Sequence, residues 1–303
     1  MRASIRWSWI ALVGAISASP LVAQVSEGPK DRLFRTIDWA SGPVTGGLGS
    51  EAEVEVPAAC RFTGASGAKT FMEVTENPAT GKEQGILLCP AADTATGPWF
   101  VVFSYDASGY VRDDEGQSLD ADAIMKALQE GTEQANNKRW ERGWEPIHLL
   151  GWERPPFYDP STHNLTWSTR IQGTSGSVDV NHSVRLLGRG GVMHADLVAG
   201  RVQLATAVPA FDAILARYHF KTGRAYAEWR SGDKVAEYGL TALIAGGVGA
   251  AAVKTGLLGK FWRVLVAVGA AAWKFLVALA AGVAAWVRSV FQRKKGKAGG
   301  GAP

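Results

Sequence analysis

Two kinds of apolar patterning divide the chain. From Gly239 to Val290 almost every residue is Ala, Gly, Val, Leu or Trp, whereas upstream the apolar positions alternate or recur with periods of two and near four. The upstream part reads as a folded domain and the downstream part as membrane-facing helix.

Glutamate and valine alternate from Glu51 to Pro57, the pattern of a half-exposed strand. Phe71 to Thr75, Ile86 to Leu88 and Trp99 to Tyr105 predict further strands, the last turning through Ala107-Ser108-Gly109 into Tyr110 to Arg112. Lys30 to Trp39 reads as an irregular or short helical piece, and Ser41 to Gly49 as turn-rich. A long helix is expected from Leu119 to Arg142. Ser118 stands before it, Asp120 and Asp122 lie in its first turn, and Lys138, Arg139 and Arg142 close it, the order that the helix dipole favours.

Next comes a Trp- and Pro-rich stretch from Gly143 to Ser168. Trp144, Trp152, Tyr158 and Trp167 are the candidates here for an aromatic platform that takes a glycan, peptide or apolar ligand; the competing reading is a Trp-built core. A hairpin then runs from Asn181 to Leu187 and back from Val192 to Ala199. Pairing Leu187 with Val192 sets Ser183 opposite Asp196 and Arg185 opposite His194. His182, Val184, Leu186, Met193, Ala195 and Leu197 then share a core face, and Ser183, Arg185, His194 and Asp196 the face expected to meet water. Arg185, His194 and Asp196 are the weak catalytic or anion-binding candidates, weighed against plain cross-strand charge pairing. Leu204, Val208, Phe211, Leu215 and Tyr218 predict an amphipathic helix from Arg201 to Tyr218, kinked at Pro209, followed by a second hairpin over 219–229. Strands and helices in this order imply an α+β fold with antiparallel sheet and two main helices.

The ends supply location. Arg2 and Arg6, the apolar run from Trp7 to Ile16 and the small residues before Gln24 have the layout of an export signal over 1–23. Residues 264–287 are apolar, bracketed by Trp262 and Trp286, and at 1.5 Å per residue long enough to cross ~30 Å of hydrocarbon. The tail, 288–303, is basic, so the positive-inside rule leaves the tail cytoplasmic and the domain of 24–238 outside. On a helical wheel Ala270, Lys274 and Ala281 share a small-residue stripe that lets another helix approach. Ala242, Gly246 and Ala250 repeat the pattern in 239–258, a packing or interfacial helix or a second span of a helical hairpin. The bilayer is thus the expected partner, with a protein partner or a second copy bound through these helices.

Composition adds little chemistry. The net charge of +4 sits mainly in the anchor and tail, so no basic stripe invites nucleic acid. Cys60 and Cys89, the two cysteines, form a candidate disulfide in an oxidising compartment, with two unpaired thiols as the alternative. No metal-ligand spacing, phosphate loop or nucleophile motif appears, so no metal, cofactor or reaction is expected.

Several stretches together resemble a known family: Gly151-Trp152, Pro155-Pro156-Phe157-Tyr158-Asp159, Leu165-Thr166-Trp167, the hairpin from Val184 to Val192, and Gly232 to Leu240. They are similar to bacterial membrane-anchored proteins of the domain-of-unknown-function 2167 family (DUF2167). The resemblance implies a bacterial envelope protein and carries no known activity or catalytic residues; with the topology of the two ends, the expected location is the inner membrane with the domain in the periplasm. A binding or interaction module is the leading functional expectation; a periplasmic hydrolase of envelope polymers and a helix-mediated assembly factor are the alternatives.

Overall fold

The computed structural model describes residues 28–92, 97–116 and 118–245. The expected signal, the span of 264–287 with Ala270, Lys274 and Ala281, the tail, and Gly246 and Ala250 lie outside them. Among the described residues no helix is long and apolar enough to cross a membrane.

A short helix, α1 (Pro29–Arg35), leads into β1 (Ala40–Ser41), β2 (Val44–Leu48), β3 (Ala52–Val56) and β4 (Arg61–Gly64). Helix α2 (Ala65–Val74), β5 (Glu83–Cys89), β6 (Trp99–Asp106) and the long α3 (Ala121–Glu141) follow. Strands β7 (His148–Asp159), β8 (Asn164–Gln172), β9 (Val178–Leu187) and β10 (Val192–Gly200) then form a continuous meander. Helix α4 (Leu204–Leu215) and β11 (Tyr218–Phe220) complete the list, and a further helical stretch covers 240–245.

The large sheet has the order β1-β4-β5-β6-β10-β9-β8-β7, and a small one has the order β11-β3-β2. Every pairing within them is antiparallel, which makes the fold α+β. One face of the large sheet packs on the small sheet and α4, where Val101, Phe103, Met193, Ala195 and Leu197 meet Val54, Val56, Phe211 and Ile214. Each fully buried aliphatic or aromatic side chain there contributes about 1.5–3 kcal/mol relative to exposure. The opposite face is covered in two places. Ala68 and Phe71 of α2 sit over Ile86 of β5, while Ile124 of α3, with Leu240, Leu243 and Ile244, sits over Leu165 and Trp167 of β8. The sheet between the two covers is open.

Four expectations change. Phe71 to Thr75 is the end of a helix: Ala68 and Phe71, three apart, both face the sheet, a helical spacing that a five-residue window conceals. The cap of α3 is Asp120, whose carboxylate accepts from the Ala123 N–H at 3.0 Å, while Ser118 donates to the Glu115 carbonyl at 3.1 Å. The second hairpin over 219–229 does not form, because Tyr218–Phe220 pairs with β3 and closes the small sheet. Ser41 to Gly49 holds two strands as well as turns. The Trp- and Pro-rich stretch contains β7, the last strand of the sheet, where Pro155 and Pro156 are tolerated because one side of the strand is free and its pairing with β8 breaks between Arg154 and Phe157. Pro209 lies inside α4.

Strand register explains the disulfide. Arg61 of β4 pairs with Leu88 of β5, so Cys60 and Cys89, next along each chain, stand opposite one another and are bonded, their Cα atoms 4.3 Å apart. Both are buried in the main core. Replacing both by Ala should lower the unfolding free energy by about 3.6 kcal/mol, the chain-entropy value for a loop of this size. Urea unfolding of the oxidised protein and the variant measures it, and equal midpoints would show that the bridge adds nothing.

Candidate functional site

The register of the Asn181–Ala199 hairpin is the one its alternation implies: Leu187 pairs with Val192, Arg185 with His194, and Ser183 with Asp196. The apolar face, with His182, is buried as expected. The polar face is not on water. It belongs to the side of the large sheet that α2 and α3 partly cover, so Ser183 and Arg185 are only 5% and 8% exposed. The alternation shows which residues share a face; what covers that face is decided by helices far away in sequence.

Two cross-strand rows run over this surface. One comprises Glu83 of β5, Ser104 of β6, His194 of β10 and Arg185 of β9. The adjacent row comprises Val102, Asp196, Ser183 and Trp167. Except for His194, they floor a cleft of about 670 Å³, walled by Met72 and Thr75 at the end of α2, by Leu128, Thr132 and Arg139 of α3, and by Ile244. A second cavity of about 550 Å³ is lined by His194, Lys82, Asp106, Tyr238, Ala242 and Leu243. The 240–245 helix therefore contributes to both, and Ala242, an expected helix-packing residue, is buried against this domain.

Arg185 is the centre of the cleft floor. One of its Nη atoms donates to Asp196 Oδ1 at 2.8 Å, and its guanidinium lies over the Trp167 ring at 4.6 Å. Ser183 Oγ donates to the same carboxylate oxygen at 2.6 Å. Asp196 keeps 28% of its side chain exposed, so the ion pair is reachable from the cleft. Burial acts to raise the Asp196 pKa, but the Arg185 charge, His194 and the Ser183 hydroxyl outweigh it and hold the carboxyl below its ordinary range. His194 is pushed down to about 3, first by burial and then by the Arg185 charge. Its Nε2, like Arg185 Nε, is buried with no hydrogen-bond partner among the described residues. Glu83 is also held below the ordinary range: burial opposes this, but Thr80 and Gly81 donate to both of its oxygens.

The aromatic candidates separate. Trp167 is in the cleft floor. Trp152 donates from its indole N–H to the Ala121 carbonyl at 3.2 Å and so helps seat α3. Tyr158 is buried and donates to Asp113 at 2.5 Å, with His163 Nδ1 at 3.1 Å. Trp144 lies beyond the end of α3, with the Arg142 and Arg139 guanidinium groups 4.9 and 5.7 Å from its ring. Sequence reasoning missed Ser104, Thr132 and Arg139. Ser104 interrupts an otherwise apolar and aromatic strand, which was its one visible signal; the two α3 residues look like ordinary surface positions. Among the described residues no group of three His, Cys, Asp or Glu side chains is placed to hold a metal ion.

No curated protein sequence matches the chain. Among solved structures, the cyanobacterial PsbP of Synechocystis sp. PCC 6803 is similar at 12% identity, covering 61% of this chain and 92% of that one with a TM-score of 0.34. A protein of unknown function from Pseudomonas aeruginosa is similar at 17% identity, covering 43% of this chain and 77% of that one with a TM-score of 0.26. Neither similarity bears on function. The model of a family described as "Protein of unknown function (DUF2167)" matches residues 41–284, most of the sequence and all of the sheet from β2 onward. The chain belongs to the DUF2167 family of proteins of unknown function.

Proposed function

We propose that this protein is a membrane-anchored component of a bacterial envelope whose exported domain binds a ligand or partner segment in the cleft between α2 and α3. The observation that carries the reading is the cleft itself. Its volume lies in the range of about 300–1,000 Å³ usual for ligand sites, and its mixed lining sets the apolar Met72, Leu128, Trp167 and Ile244 beside a compact polar cluster of Arg185, Asp196 and Ser183. The apolar run and basic tail of the sequence support the anchored half of the reading.

Binding fits these groups better than hydrolysis. A general base works best with a pKa near the working pH, whereas His194 titrates near 3 and Asp196 is held ionised in an ion pair. Ser183 spends its proton on that already stabilised carboxylate.

One labelling experiment tests both halves. A membrane-impermeant maleimide is applied to spheroplasts carrying single added cysteines at Glu55, on the exposed side of the small sheet, at Thr132, in the cleft wall, or at Gly300, in the tail. Glu55→Cys should label and Gly300→Cys should not. Thr132→Cys should react in the purified protein and be protected in cells. Unlabelled Glu55→Cys would remove the location, and equal reactivity of Thr132→Cys in both settings would remove the occupied cleft.

A further inference from the structure

The cleft does not account for the end of α3. Trp140 is 78% exposed, the most exposed aromatic ring of the described domain. It lies one turn from Trp144, which carries the Arg139 and Arg142 guanidinium groups against its ring. Such a side chain gains nothing for the fold. An exposed aromatic ring with a polar edge, one turn from a second ring that carries two arginines, suits the headgroup level of a bilayer, where the ring enters the apolar boundary and the cations meet phosphate.

A further observation favours a lipid surface at this end of the domain. The basic helix α1 adjoins it: Glu76 forms an ion pair with Lys30 through its side chain, and its carbonyl accepts from Arg139 at 2.7 Å. Across α1 and residues 138–145, with Glu76 included, six basic residues face four acidic ones, Asp31, Glu76, Glu141 and Glu145.

We propose that the end of α3, with Trp140 and Arg142 as its principal contacts, docks on an anionic lipid surface and seats the cleft close to the bilayer. The inference rests on the anchored reading above for the proximity of lipid, and adds to it a defined orientation. The excess of basic side chains makes the contact selective for anionic headgroups and sensitive to salt.

The test uses the full chain. With Cys60 and Cys89 bonded, Glu141→Cys provides one free thiol for the environment-sensitive dye nitrobenzoxadiazole. The labelled protein is reconstituted into vesicles of phosphatidylcholine alone, or of phosphatidylcholine and phosphatidylglycerol in equal parts. Dye emission should strengthen and move to shorter wavelength only with phosphatidylglycerol. The change should be lost when Trp140→Ala and Arg142→Gln are added, and a dye at Glu55→Cys should not respond. Emission identical in both vesicles, or unchanged by the two substitutions, overturns docking while leaving the anchor intact. A chain that fails to float with either vesicle overturns the anchored reading and the docking together.

Discussion

Arg185→Met should cost about 3–5 kcal/mol of unfolding free energy, the range for removing one partner of a buried ion pair. The lower end is expected, because Asp196 retains some access to water through the cleft. The cost comes from what remains. Asp196 and its bond from Ser183 would persist at the cleft floor without the cation that offsets their desolvation, and the Trp167 ring would lose its guanidinium cover. The double variant Arg185→Met with Asp196→Leu should recover most of the loss, because it leaves no unpaired charge. Urea unfolding of the parent, both single variants and the double variant gives the cycle. A single variant as stable as the parent would mean that water already satisfies the pair.

Acid should destabilise this domain well before ordinary carboxylates titrate, and His194 is the main reason. Its folded-state pKa, about 3, lies below the unfolded value of 6.5, so the unfolded chain takes up a proton first. Stability therefore falls as pH drops from about 6.5 toward 3, by up to about 4 kcal/mol at roughly 1.4 kcal/mol per pKa unit. His182, lowered by burial, acts in the same direction. Asp196, also lowered, extends the loss to more acid pH, because its contribution vanishes as pH falls through its folded-state pKa. His194→Asn removes the titrating group, so stability against pH between 6.5 and 3 should become shallower. A variant with the parent's slope would assign the acid sensitivity elsewhere.

The hairpin shows where sequence reasoning reaches and where it stops. A period of two is a local property, so the alternation from Asn181 to Ala199 gives every cross-strand pair correctly. Whether the polar face meets water depends on α2 and α3, elements that begin more than fifty residues upstream, and no local pattern contains that information. The same reason explains β11. Tyr218–Phe220 looks like the first strand of a local hairpin, but its partner is β3, near the start of the domain. Helix α3 was legible because its charge order and length are local, and the disulfide because there were only two cysteines to pair. The cleft was not legible as a cleft, since its floor and walls come from eight separate elements and the 240–245 helix.

The large sheet consists of two meanders, β4-β5-β6 and β7-β8-β9-β10, that meet at one seam between β6 and β10. Within each meander, strands are joined by turns or modest loops, except that α2 stands between β4 and β5, whereas the seam pairs residues as distant as Phe100 and Val198. Closing so long a loop costs more chain entropy than any hairpin in the sheet and is repaid only when the whole row of pairs forms. The seam also brings Ser104 beside His194 and Val102 beside Asp196, so the binding floor does not exist in either half alone. A newly made chain therefore acquires its cleft floor only at the long-range step that completes the sheet.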